Sequence, residues 1–272
     1  MDIAFLVRRI TVEKIVHEED KKEIRDFVAS HETLEDKDIL FIYRLTKTAN
    51  YFVERNPRFF EESLLERLFL YSVSVAGRAK GTDSAEYPKH NLSQLEYHLN
   101  SFAGNFAKAK FFMIKSKTAS NHSSDAFSKM VYWGERWYSQ KYAAAQKSEH
   151  TDKKYSSCAY AFATDVAMQM YKLTKDQAWG KRWFKSSLKS AELSKDFDPR
   201  HSTLYYRLAA YAASSVYKLT KDKKYAKLGL KYYGKFLDSV DLYPELFKLS
   251  TIRIAQSEIR YLKQSIQRQE WR

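Results

Sequence analysis

The sequence predicts an all-α protein of stacked antiparallel helical hairpins, an α-solenoid, on three observations. Glycine and proline punctuate β-hairpins and tight α/β loops, and they number only 7 and 4 in 272 residues. Apolar residues recur at steps of three and four over most of the chain, which is the spacing of one helix face. Tyr171-Lys-Leu-Thr-Lys-Asp176 returns unchanged as Tyr217-Lys-Leu-Thr-Lys-Asp222, 46 residues further on. A fixed period of this size marks stacked repeats.

The repeat extends beyond the motif. Tyr160, Ala163 and Ala167 match Tyr206, Ala209 and Ala213 at the same offset, while Trp179 becomes Tyr225 and Phe184 becomes Leu230. Tyr160, Ala163, Ala167 and Tyr171 share one helix face, as do their counterparts. Small alanines among large tyrosines let a partner helix approach closely while the rings fill the gaps. The Leu-Thr-Lys-Asp stretch makes the turn, and Asp176 and Asp222 suit the N-cap of the second helix. Trp179, Trp183 and Phe184 are read as its inward face, with Tyr225, Leu230 and Tyr233 in the next copy. Asp198-Pro199 is read as closing the first unit, with Tyr243-Pro244 at nearly the same place in the second.

Earlier segments keep the helical period without the motif. Leu92, Leu95, Leu99, Phe102, Phe106, Ala109 and Met113 step without a break along one helix. Phe127, Met130, Gly134, Trp137 and Tyr138 mark its partner, starting near Ser124-Asp125. A helix over Asp36 to Val53 and another through Phe60, Leu64, Leu68, Tyr71 and Val75 precede them. Tyr43-Arg-Leu-Thr-Lys47 echoes the repeated turn motif. Gly81 to His90, with its Gly, Asp, Ser and Pro, is the best break. The expected organisation is therefore an N-terminal helical region over 1–80 and a helical-repeat domain over 91–272. The latter holds hairpins at about 92–147, 153–195 and 201–239 and a capping helix over 244–271.

Charge follows the same division. The formal net charge is +14, yet residues 1–90 hold 15 Lys and Arg against 17 Asp and Glu, whereas 91–272 hold 32 against 16. The basic excess suggests an anionic partner for the second part, or a lysine-rich solvated surface. No apolar run reaches the roughly 18 residues of a membrane span. Asp2 precedes the first apolar stretch and Arg8-Arg9 follow it, the reverse of a secretory leader, so a cytoplasmic location is expected.

The segment Ala161 to Pro199 resembles a tetratricopeptide (TPR) hairpin: small residues and a tyrosine in the first helix, a short polar turn, aromatics in the second, and Asp-Pro at the close. Its period of 46 departs from the family's roughly 34. Trp183 and Phe184 crowd the place where the family carries a small residue. The resemblance implies an elongated curved surface that binds a partner, usually another protein.

Catalytic motifs are scarce. There is no HExxH, no glycine-rich phosphate loop and no G-x-S-x-G elbow. Cys158 is the single cysteine; it gives neither a disulfide nor a multi-cysteine metal site, and its helical setting suggests a core position. Carboxylate pairs such as Glu61/Glu62 fall at helix starts, where they complement the dipole. Arg25-Asp-Phe-Val-Ala-Ser-His31 resembles the Arg-x(4–6)-His signature of HEPN-type ribonucleases, which implies metal-independent RNA cleavage. The structural alternative pairs Arg25 with a surface carboxylate and puts His31 at a helix end.

The expected function is thus a non-enzymatic scaffold without cofactor or metal, binding a protein or peptide. RNA or another polyanion is the second reading, because rings and cations interleave in Trp179-Gly-Lys-Arg-Trp183 and Leu204-Tyr-Tyr-Arg207. Arg182, Lys185, Arg207, Arg253 and Arg260 are the candidate contacts for an anionic ligand.

Overall fold

The computed structural model describes residues 2–13, 16–31, 34, 39–79, 92–117, 124–244 and 247–270. Among them the fold is all-α. Eleven helices run α1 Ile3–Glu13, α2 Glu18–Ser30, α3 Ile39–Arg55, α4 Glu62–Ala79, α5 Leu92–Lys117, α6 Ser124–Ser148, α7 Lys153–Thr174, α8 Gln177–Ser194, α9 Pro199–Thr220, α10 Lys223–Val240 and α11 Leu249–Glu270. None is long and apolar enough to cross a membrane. The chain divides into two compact units, Met1–Ser148 and Glu149–Arg272. This division sets the α5–α6 hairpin with the N-terminal helices, apart from the 46-residue repeats. The predicted break at Gly81 to His90 lies outside the described residues.

In the second unit the repeat sets the helix ends from α7 to α10. Asp152 and Asp198 cap α7 and α9, accepting from the amides of Tyr155 and His201 at 2.8 and 3.0 Å. Asp176 and Asp222 cap α8 and α10, accepting from Ala178 and Lys224 at 2.8 and 2.9 Å. Between them Lys175 and Lys221 take the left-handed conformation, φ 55° and 59°, and return their amides to Tyr171 and Tyr217. Asp198-Pro199 therefore opens the second hairpin instead of closing the first, because its carboxylate and the fixed proline φ suit a helix start. Consecutive helices pack on one another from α7 to α11.

Small side chains set the close packing. Ser157 and Ser190 each donate to the other's carbonyl, at 3.1 and 2.9 Å, and Ser202 donates to Ala191 at 2.9 Å. These bonds satisfy buried hydroxyls while α7, α8 and α9 approach one another. Trp183, Tyr217, Tyr233 and Phe236 are fully buried.

In the first unit α5 packs on α6, α4 and α3. The core stripe of α6 runs through Ala126, Met130, Trp133 and Trp137. Phe127 falls to its side and is 43% exposed, contrary to its predicted inward place. Lys141 is buried beneath α5, where Gly104 makes room; its ammonium donates to the carbonyl and hydroxyl of Ser101, both at 3.0 Å.

Three further expectations are corrected. Tyr43 to Lys47 lies inside α3 and makes no turn; the residue after Lys47 is Thr48, and no aspartate follows to cap a new helix. The last helix begins at Leu249 rather than Pro244, because Leu242 and Tyr243 form a turn on α10 and Phe247 packs edge-on against Phe236. Cys158 is exposed. It stands two residues before the buried Tyr160, about 200° round the helix, on the same outward side as the exposed Phe162.

Candidate functional site: the tyrosine strip on the repeat unit

Side chains sort the helices of the second unit into two layers. The first joins α7, α9 and α11: Tyr171 donates its hydroxyl to the carbonyl of Ser215 at 3.1 Å, and Ser214 and Lys218 donate to Glu258 at 2.5 and 2.7 Å. The second joins α8 and α10 through the rings of Phe184, Tyr225 and Tyr232 and the pair Lys235–Glu192. Thus α11 occupies the place of a first helix in a third hairpin. It has the same 22 residues as α7 and α9.

The first layer carries a strip of rings and charges. On α9, Arg207, Tyr211, Ser215 and Lys218 step by four, four and three along one face. On α11, Ile254, Glu258 and Tyr261 do the same. Tyr211 is 43% exposed, Tyr261 37% and Ile254 61%. Beneath them Trp183 from α8 meets the ring of Tyr211 edge-on at 5.3 Å and that of Tyr171 at 5.9 Å. Lys218 sits 5.1 Å from the centre of the Tyr261 ring. Trp183 thereby holds Tyr171 and Tyr211 in place while Tyr211 and Tyr261 keep exposed area for a partner, which lowers the entropic cost of binding at Tyr211.

The five residues read from the sequence divide between the layers. Arg207 stands on the α9 strip, half-buried, and burial lowers its pKa despite the nearby Tyr233 hydroxyl. Arg253 and Arg260 are exposed and share one stripe of α11, beside Ile254 and Tyr261. Arg182 and Lys185 belong to α8, in the second layer, with the Arg182 guanidinium 4.4 Å from the Trp179 ring centre. Sequence reasoning missed Tyr211, Lys218, Glu258 and Tyr261. Tyr211 and Tyr261 are 50 residues apart, off the repeat period, so only the equivalence of α9 and α11 connects them.

The Arg25/His31 pattern resolves differently. Arg25 lies over the Phe59 ring at 4.9 Å and donates to the carbonyl of Lys21 and, among the described residues, to no carboxylate. His31 ends α2, stacks on Phe27 and places Nδ1 2.8 Å from the Phe27 carbonyl. Among the described residues the two side chains do not touch. The Cys158 thiol is pushed up by partial burial, with Asp198 and Asp152 opposing ionisation and Lys154 favouring it, which leaves it protonated at neutral pH. Among the described residues no group of three or more His, Cys, Asp and Glu could hold a metal ion.

No family model and no curated protein matches the chain. Among solved structures, a chain described as "Computational Design of Self-Assembling Cyclic Protein Homooligomers" aligns with 98% of this chain and 95% of its own, at 10% identity and a TM-score of 0.31.

Proposed function

We propose that residues 149–272 form a non-catalytic, TPR-like recognition module that binds an extended protein segment across α7, α9 and α11. The observation that supports this reading is the strip of Tyr171, Tyr211 and Tyr261, in which Trp183 holds Tyr171 and Tyr211 and Lys218 lies over Tyr261 beside Glu258. Rigid, half-exposed tyrosines offer apolar area and hydroxyls together, as recognition surfaces use them. A second reading, RNA bound by the same strip, draws support from Arg207, Arg253 and Arg260 beside these rings and from the basic excess of this part of the chain.

The test is affinity capture with the wild-type protein and a Tyr211→Ser/Tyr261→Ser variant, whose altered rings are exposed and outside the core. A protein retained by the wild type, lost by the variant and crosslinked to α9 or α11 supports the first reading. Binding of labelled single-stranded RNA that falls steeply with salt supports the second, and shortening of that RNA in chelator points back to Arg25 and His31. Equal retention by both proteins, with no RNA bound at low salt, overturns both readings of the strip.

A further inference from the structure

We propose that a cleft in the first unit, between α2, the 56–61 turn and the start of α4, binds a small phosphate-bearing anion. The cleft has a volume of about 650 Å³, within the range of small-molecule sites. Lys22, Arg25, Arg58 and Arg67 line it together with the carboxylates of Asp26 and Glu61.

The charges in this cleft are poorly compensated. Among the described residues neither the Lys22 ammonium nor the Arg58 guanidinium has a hydrogen bond or ion pair, and neither does the Asp26 or the Glu61 carboxylate. Four cations thus share one concave space with two acids and no internal salt bridge. This cluster lies in the part of the chain that is net acidic, with 15 Lys and Arg against 17 Asp and Glu over residues 1–90. A generally basic surface does not account for it. Clustered like charges in a cleft focus the potential and attract a counter-ion.

The walls are fixed before any ligand arrives. Arg67 on α4 donates to the carbonyls of Val28, Ala29 and His31, and Tyr71 also donates to His31, so the end of α2 is tied to α4. The Arg25 guanidinium lies over Phe59, 4.9 Å from the ring centre, and Phe59 itself stacks on Phe52 at 4.7 Å. A ring contact engages the face of a guanidinium, whereas its N–H donors lie in its plane. Arginine forks match the oxygens of phosphate in paired bonds. The N-terminal turn of α4 also faces the cleft through Ser63 and Leu64, where open amides and the helix dipole favour an anion.

The experiment is titration calorimetry of the full chain with inorganic pyrophosphate and, separately, inorganic phosphate, with chelator present. Saturation at one ligand per chain is expected. Lys22→Gln/Arg58→Gln should weaken it by about tenfold or more, since both side chains are exposed and without partners among the described residues. Lys224→Gln/Lys227→Gln, exposed on α10 in the other unit and outside the strip, should leave it unchanged. Asp26→Asn should tighten it, a gain that misfolding cannot produce. No binding at low salt, uptake without saturation, or equal weakening by the two double variants would overturn the proposal and leave only non-specific attraction to a basic protein.

Discussion

Lys235 donates to Glu192 at 3.2 Å, and Lys189, one 46-residue period earlier, donates to Glu149 at 2.5 Å. The tyrosines repeat as well: Tyr160 donates to Glu149 at 3.0 Å and Tyr206 is hydrogen-bonded to Glu192. The carboxylate does not follow the period. The residue 46 after Glu149 is Lys195, and Glu192 reaches the site from the preceding turn of α8. Two copies of one packing arrangement thus recruit an acid from different places, which argues that the lysine–tyrosine frame selects for a carboxylate there.

Partial burial opposes ionisation of Glu149 and Glu192, but hydrogen bonds from Lys189 and Tyr160, or from Lys235 and Tyr206, outweigh it and hold both carboxyls below the usual range. Depressed carboxyls add stability above their unfolded values, and that stability is lost as pH falls through the folded ones. The pairs are 23–42% exposed, so solvent screens them. Lys189→Met and Lys235→Met should each cost less than about 1 kcal/mol at neutral pH. In urea unfolding the difference should vanish on acidification below the ordinary glutamate range.

Lys141 carries the opposite signature. Burial pushes its ammonium from 10.5 down to about 7, against the pull of Glu54 and with a small push from Lys108. The unfolded chain therefore binds a proton that the folded chain releases between these values. Stability contributed by this group is complete above the ordinary lysine pKa and is lost as pH falls through 7. Lys141→Met should stabilise the first unit by about 1–4 kcal/mol in mild acid. Denaturant curves should show this advantage shrinking as pH is raised toward the lysine range, and an advantage independent of pH would refute the assignment.

The helix ends give a third test. Asp176→Ala and Asp222→Ala each remove an acceptor for a first-turn amide and should cost about 1 kcal/mol. Lys175 and Lys221 sit at φ 55° and 59°, where a side chain crowds the backbone. Lys221→Gly should therefore stabilise by about 0.5–1 kcal/mol, whereas glycine inside a helix would do the reverse. Thermal melts of the three single variants settle the signs.

These caps also show where the sequence was legible. An aspartate followed by a run of apolar residues at helical spacing is a local signal, so the turns at Asp176 and Asp222 could be placed without tertiary information. The two hairpins followed from the 46-residue identity. The tyrosine strip did not, because it depends on which helix lies beside which. Ser215 as the partner of Tyr171, and Glu258 as the partner of Lys218, are contacts between helices that no short-range pattern encodes. Cys158 and Phe127 were misplaced for a related reason. Each is close in sequence to core residues yet lies round the helix from them, and apolar character alone does not fix the angle.

Close approach can be probed at glycine. A methyl group on Gly180 would come within 2.5 Å of Val216 Cγ2 and 3.3 Å of the Tyr171 ring, because α8 and α9 pack at this residue. Val216 is fully buried and branched at Cβ, so it cannot swing aside. On Gly234 of α10 the same methyl meets nothing within 4 Å. Both residues are inside helices, and alanine gains about 0.5–1 kcal/mol in helix propensity at either. At Gly234 that gain stands alone, so Gly234→Ala should raise stability. At Gly180 overpacking of about 1–3 kcal/mol opposes it, so Gly180→Ala should lower stability on balance. Opposite shifts of the urea midpoint with unchanged slope are the expected result. A stabilised Gly180→Ala would mean that α8 and α9 lie further apart than the serine pairs between α7, α8 and α9 require.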